Sequence, residues 1–194
     1  RARRRVPAPA GVGRIVRQSG VRDQLGVARA QGRRFVAAGE QSAAIRTYVG
    51  MDSAPDVESR AALAVSELER AGGFTRSAIV VTVPTGSGWI DENAAEGFEE
   101  RFADDVAIVG MQYSYLPSWI TFVFGRSAAD DSAAALFDAV AERIADLPDV
   151  LRPALYVYGQ SLGSVGGSAI SPAPINSGNA PAAHCGRARP PVPC

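Results

Sequence analysis

Two rhythms of hydrophobic and polar positions share this chain. Ala78-Ile79-Val80-Val81-Thr82-Val83 is a continuous, mostly β-branched run, the pattern of a strand buried on both faces. Residues 46–49, 106–111 and 154–158 form similar short runs. Between them, apolar residues recur every three or four positions. Val57, Ala61, Ala64, Val65 and Leu68 make one helical stripe. Ala94, Ala95, Phe98 and Phe102 make a second, and Leu136, Phe137, Val140, Ile144 and Leu147 a third. Helix punctuation fits these stripes. Ser53-Ala54-Pro55-Asp56 matches a capping box, and Gly72-Gly73 closes the helix whose last turn holds Arg70. Asp91 caps the second helix, Ser127 or Asp130 opens the third, and Pro148 ends it. A helix of small residues is predicted over 162–170, after the last strand. Strands alternating with helices predict an α/β fold, a mostly parallel sheet with helices on both faces. No internal repeat is visible.

The ends depart from this pattern. Ten of the twenty arginines fall within residues 1–34, against one acid, Asp23. With Pro7, Pro9, Gly11 and Gly13, this stretch reads as an extended, weakly ordered arm. Residues 171–194 are proline-rich and lack apolar periodicity, so they read as a disordered, aberrant tail. Residues 35–170 are left as the folded domain. The first residue is arginine with no apolar stretch behind the basic cluster, so the start is not a secretory signal. No 18-residue apolar span occurs. The nearest approach, residues 106–125, contains Gln112, Ser114 and Pro117 and reads as a buried strand followed by an aromatic loop.

Composition then removes whole classes of chemistry. The 194 residues carry 20 basic and 20 acidic side chains, for no net charge, so no global field selects a polyanion. All the basic residues are arginine. Without lysine there is no Walker A loop, no Schiff-base enzyme and no Ser-Lys dyad. One histidine, His184, rules out a multi-histidine metal site, and no metal or cofactor is expected. Cys185 and Cys194 both lie in the tail and read as free thiols.

The candidate chemistry centres on Gly159-Gln160-Ser161-Leu162-Gly163, a G-x-S-x-G sequence between a predicted strand and a predicted helix. Such a turn is tight enough that the residues two before and two after the serine must have almost no side chain. It thrusts the hydroxyl outward above the N–H groups of the new helix. Ser161 is therefore the candidate nucleophile, with Gly159 and Gly163 shaping the elbow. Acyl transfer also needs two N–H donors for the developing oxyanion. Leu162 supplies one. The loop Thr85-Gly86-Ser87-Gly88 is placed to supply the other from Gly86, although the same residues could form a plain turn or a phosphate loop. His184 is a surface histidine by default, and serine without a base is a weak nucleophile. The acidic pairs Asp91-Glu92, Glu99-Glu100, Asp104-Asp105 and Asp130-Asp131 read as solvated or capping groups. Tyr113, Tyr115, Trp119, Phe122 and Phe124 either pack in the core or line an acyl pocket.

Joined together, several stretches resemble the actinobacterial membrane-associated α/β-hydrolase family. They are Arg33-Arg34-Phe35-Val36, Tyr48-Val49-Gly50-Met51-Asp52-Ser53-Ala54-Pro55, Val83-Pro84-Thr85-Gly86-Ser87-Gly88-Trp89, Met111-Gln112-Tyr113-Ser114-Tyr115-Leu116-Pro117-Ser118-Trp119 and Tyr158-Gly159-Gln160-Ser161-Leu162-Gly163-Ser164. The resemblance spans about residues 24–170. It implies a partial α/β-hydrolase-like three-layer sandwich and hydrolysis of carboxylesters or lipid-like esters through a Ser161 acyl-enzyme. It also implies transmembrane helices upstream and a domain facing the periplasm. Gln160 stands where the family often has an acid. The family's acid and histidine lie on strands beyond residue 170, so the triad is expected to be incomplete here. Strand 154–158 should be interior in that fold, so its open edge predicts self-association. The alternatives are an inactive scaffold, or a peripheral membrane or nucleic-acid binder acting through residues 1–34. No nucleic-acid partner is expected on the leading reading.

Overall fold

The computed structural model describes residues 25–39, 42–114 and 126–170. Four strands form one sheet: β1 (Ile45–Val49), β2 (Ala78–Val83), β3 (Val106–Met111) and β4 (Ala154–Gly159), in the order β1-β3-β2-β4. Every pairing is parallel, with Ile45 opposite Ala107, Ala78 opposite Val106 and Ala78 opposite Ala154. Among the described residues, five α-helices accompany the sheet: the second to fourth are the crossovers between its parallel strands, the first precedes β1 and the last follows β4. They are α1 (Leu25–Ala38), α2 (Val57–Arg70), α3 (Glu92–Arg101), α4 (Arg126–Ala145) and α5 (Leu162–Ala169).

The helices cover both faces, because each strand of the interior offers two apolar sides. On one face Ile79, Val81, Ala107 and Val109 pack with Ala61, Ala64 and Leu68 of α2 and Leu136, Val140 and Ile144 of α4. On the other, Ala78, Val80, Val106 and Ile108 pack with Phe35 and Val36 of α1 and Ala95 of α3. All residues of β1, β2 and β3 are buried. Every residue of β4 is only half-buried, for β4 pairs with β2 alone among the described residues. Its Tyr156 rests on Phe102, which caps the end of α3, and its Tyr158 on Phe98 of α3, with ring centroids 5.4 and 5.5 Å apart.

Local details refine the sequence expectations. Asp56, not Ser53, caps α2: its carboxylate accepts from the Ser59 N–H at 2.7 Å, while residues 51–53 form a separate 3-10 turn ahead of Pro55. Gly72 stops α2 in the left-handed conformation, φ 80°. Asp91 caps α3 as expected, accepting from the Asn93 N–H. Helix α4 begins at Arg126, ahead of both expected starts. Helix α1 crosses residue 34, with Arg33 and Arg34 exposed and Phe35 and Val36 in the core. Glu99 contradicts the solvated reading. It is buried and paired with the buried Arg46 at 2.5 Å, and Arg46 Nη1 also donates to the Phe35 carbonyl. This pair joins α1, β1 and α3.

Candidate active site

All four strands point the same way, so their C-terminal ends share one edge of the sheet. In open α/β sheets that edge is where ligands bind. Met51–Ser53, the loop after Val83, Gln112-Tyr113 and Ser161 all follow strand ends there.

The turn out of β4 is built by what its residues lack. Ser161 has φ 57° and ψ −122°, a backbone state costly for any residue with a Cβ. Helix α5 starts at the next residue, and Ser161 is exposed. A Cβ on Gly159 would overlap the Gly163 carbonyl and the Ser164 nitrogen. A Cβ on Gly163 would overlap the carbonyl oxygens of Val83 and Pro84. The chain reversal and the docking of α5 on β2 thus exclude side chains at both positions. The turn is then stitched by Gly163 N–H to the Gln160 carbonyl, Ser164 N–H to the Ser161 carbonyl (both 3.0 Å) and the Ser164 hydroxyl to that same carbonyl at 2.6 Å. Leu162 is the first residue of α5. Its N–H stands at the positive end of the helix and has no intrahelical acceptor available.

The contacts of Gly163 bring the entry of the 85–88 loop against the elbow. That loop is a closed turn. Thr85 N–H donates to the Trp89 carbonyl at 2.9 Å and Gly88 N–H to the Thr85 carbonyl at 2.8 Å. Trp89 N–H donates to the Thr85 hydroxyl, which also bonds the Ser87 hydroxyl. Gly88 takes φ 83°, and the Tyr48 hydroxyl donates to its carbonyl at 2.8 Å. The turn's own bonds use the N–H groups of Thr85, Gly88 and Trp89. Gly86 lies buried between them.

Other candidates separate. His184, Cys185, Cys194 and the aromatic residues Tyr115, Trp119, Phe122 and Phe124 lie outside the described residues, and the described residues contain no histidine. Tyr113 packs with Val83, Ala129, Ala133 and Ile170. Burial pushes its hydroxyl well above the ordinary tyrosine range, which keeps it neutral. Among the described residues no cluster of His, Cys, Asp and Glu could hold a metal, and no helix is long and apolar enough to cross a membrane.

Sequence reasoning missed one feature of this edge. Beyond β1, Met51, Asp52, Ser53, Ala54, Pro55 and Arg60 line a cavity of about 580 Å³. A signal was present, since Arg60 falls on the apolar stripe of α2, three residues after Val57 and one before Ala61.

The sequence model of a family described as "Alpha/beta-hydrolase family" matches residues 45–177, more than half of the chain. No curated protein and no solved structure matches.

Proposed function

This chain belongs to the alpha/beta-hydrolase family, and from that premise we propose that its site performs serine ester hydrolysis. The observation that carries the proposal is the backbone of Ser161: a strained, exposed serine at a strand-to-helix turn, between two glycines that no Cβ could replace. Strain of this kind persists only where the surroundings impose it, and it clusters at functional sites.

In the proposed reaction the Ser161 hydroxyl attacks the ester carbonyl and its proton passes to a general base. The alcohol leaves, and water then releases the acid from the acyl-enzyme. The Leu162 N–H receives the developing oxyanion. Gly86 offers the second N–H, since the turn's own bonds use those of Thr85, Gly88 and Trp89. The base has no histidine candidate among the described residues. The substrate class is a carboxylester or a lipid-like ester. Membrane association and a periplasm-facing domain, implied by the sequence resemblance, belong to the same proposal, and cell fractionation tests them.

The direct test is a fluorophosphonate probe on the folded chain. Labelling that vanishes in Ser161→Ala supports a competent nucleophile. A folded sample that takes no label points to a scaffold that keeps the elbow without the chemistry.

A further inference from the structure

The loop that carries Gly86 is tied to the sheet by a hydroxyl from another strand. Tyr48, next to last in β1 and only 3% exposed, donates to the Gly88 carbonyl at 2.8 Å. Its ring has little room to move. A Cβ on Gly32 of α1 would come within 2.6 Å of it, a Cβ on Gly110 of β3 would lie 3.4 Å from it, and the Phe35 ring is centred 6.4 Å away. Gly88 is confined as well. It holds φ 83°, and a Cβ there would meet the Tyr48 hydroxyl at 2.7 Å and the Gln112 amide nitrogen at 3.3 Å. Gln112 is in turn fixed: its side-chain amide donates to the Ser114 carbonyl and its backbone N–H to the Val49 carbonyl. The loop thus has two anchors. Its entry, Val83-Pro84, lies against Gly163 of the elbow, and its exit, Gly88, hangs on β1.

We propose that Tyr48 is a positioning residue for the Ser161 reaction: through the Gly88 carbonyl, its hydroxyl holds the 85–88 loop so that the Gly86 N–H is aimed at the developing oxyanion. This rests on the ester-hydrolysis reading of the elbow. Oxyanion donors are effective because they are aimed before the charge forms. A turn with two glycines has little stiffness of its own, so its aim depends on outside anchors. Losing the anchor lets the donor drift, and a misplacement of about 1 Å can cost about 100-fold in rate. The oxyanion exists only in the transition state and the intermediate. The loss therefore falls on the rate of acylation and not on binding of the substrate. A hydroxyl that served stability alone would leave the chemistry of the folded molecules unchanged.

The full chain and its Tyr48→Phe variant, which lacks only the hydroxyl, are labelled with a fluorophosphonate over a range of probe concentrations. Hydrogen exchange of the amides of residues 84–90 is followed in parallel. In Tyr48→Phe the limiting labelling rate is expected to fall about tenfold or more, with the half-saturating probe concentration unchanged. Exchange in the loop is expected to speed up while β3 and α4 stay as protected as in the parent. Thr47→Val is the control. It removes the neighbouring β1 hydroxyl, which is buried and has no partner among the described residues, and it is expected to change neither readout. The proposal is overturned by a folded Tyr48→Phe variant that labels at the parent rate, or by equal slowing in Thr47→Val. A parent that takes no label sinks the ester-hydrolysis reading, and exchange then decides: faster exchange over 86–88 supports the tether, and parent-like exchange overturns it. If Tyr48→Phe does not fold, Gly32→Ala replaces it, since its methyl presses on the Tyr48 ring. The same slowing supports the proposal, and parent-like labelling overturns it.

Discussion

Ser161 holds a conformation that glycine adopts freely and serine does not. Ser161→Gly is therefore expected to raise stability by about 1 kcal/mol, the relieved strain less the extra freedom of glycine in the unfolded chain. Ser161→Ala keeps the Cβ and should leave stability nearly unchanged. Urea unfolding of the two variants side by side separates backbone strain from loss of the hydroxyl; equal midpoints would mean the turn stores no strain. Gly163→Ala should lower stability by about 1–3 kcal/mol, because the added methyl meets main-chain oxygens of Val83 and Pro84 that cannot swing aside. At the start of α2, the bonds from Ser59 hold the Asp56 carboxyl below the usual range. A lowered folded-state value means that the cap stabilises above the ordinary aspartate pKa, and that this contribution fades as pH falls through the folded value. Asp56→Asn should flatten that part of the acid unfolding curve. The elbow was legible at this scale because its requirement is local: two absent side chains flanking a serine after an apolar run. The burial of Arg60 was not, because a charge on an apolar stripe is turned inward only by what packs around it.

Among the elements, Arg46 and Glu99 show how a strand and a helix can be locked by charge instead of hydrocarbon. Glu99→Gln leaves the Arg46 guanidinium buried without its counter-charge and is expected to cost about 3–5 kcal/mol. Replacing both residues by leucine should cost much less than the two single changes added together. Additive losses in denaturant unfolding would show the pair to be uncoupled. The same pair explains a failure of the pattern reading. Side by side with Glu100, Glu99 looks like an outward acid, and only its partner, 53 positions earlier in the chain, turns it inward. Strand and helix positions were otherwise well marked, since burial on both faces leaves β2 and β3 almost wholly apolar, with Thr82 the exception. The start of α4 was blurred by Ser127 and Asp130, each a competent cap, and the helix begins ahead of both.

For the molecule as a whole, the uneven finish of the sheet has the largest consequence. Among the described residues β1 and β4 are the two edge strands, yet every residue of β1 is buried beneath α1 and its neighbours. β4 carries no charge and no proline over Ala154–Gly159, and all six residues are half-exposed. An uncharged, regular edge of this kind recruits other strands. Concentration-dependent association is expected in sedimentation, reduced by Ala154→Lys, which puts a charge on that edge. A sample that stays monomeric across the concentration range, before and after the substitution, would show the edge to be protected.

By itself the sequence determined the alternation of strands and helices, the two-sided burial of the central strands and the glycine-serine-glycine turn. Each of these depends on neighbours a few residues apart, where periodicity and side-chain size act directly. Only the tertiary structure decided the order β1-β3-β2-β4, the exposed flank of β4, the burial of Glu99 against Arg46 and the cavity around Arg60. These arise between segments far apart in the chain, where the outcome depends on which surfaces meet and which charges find a partner.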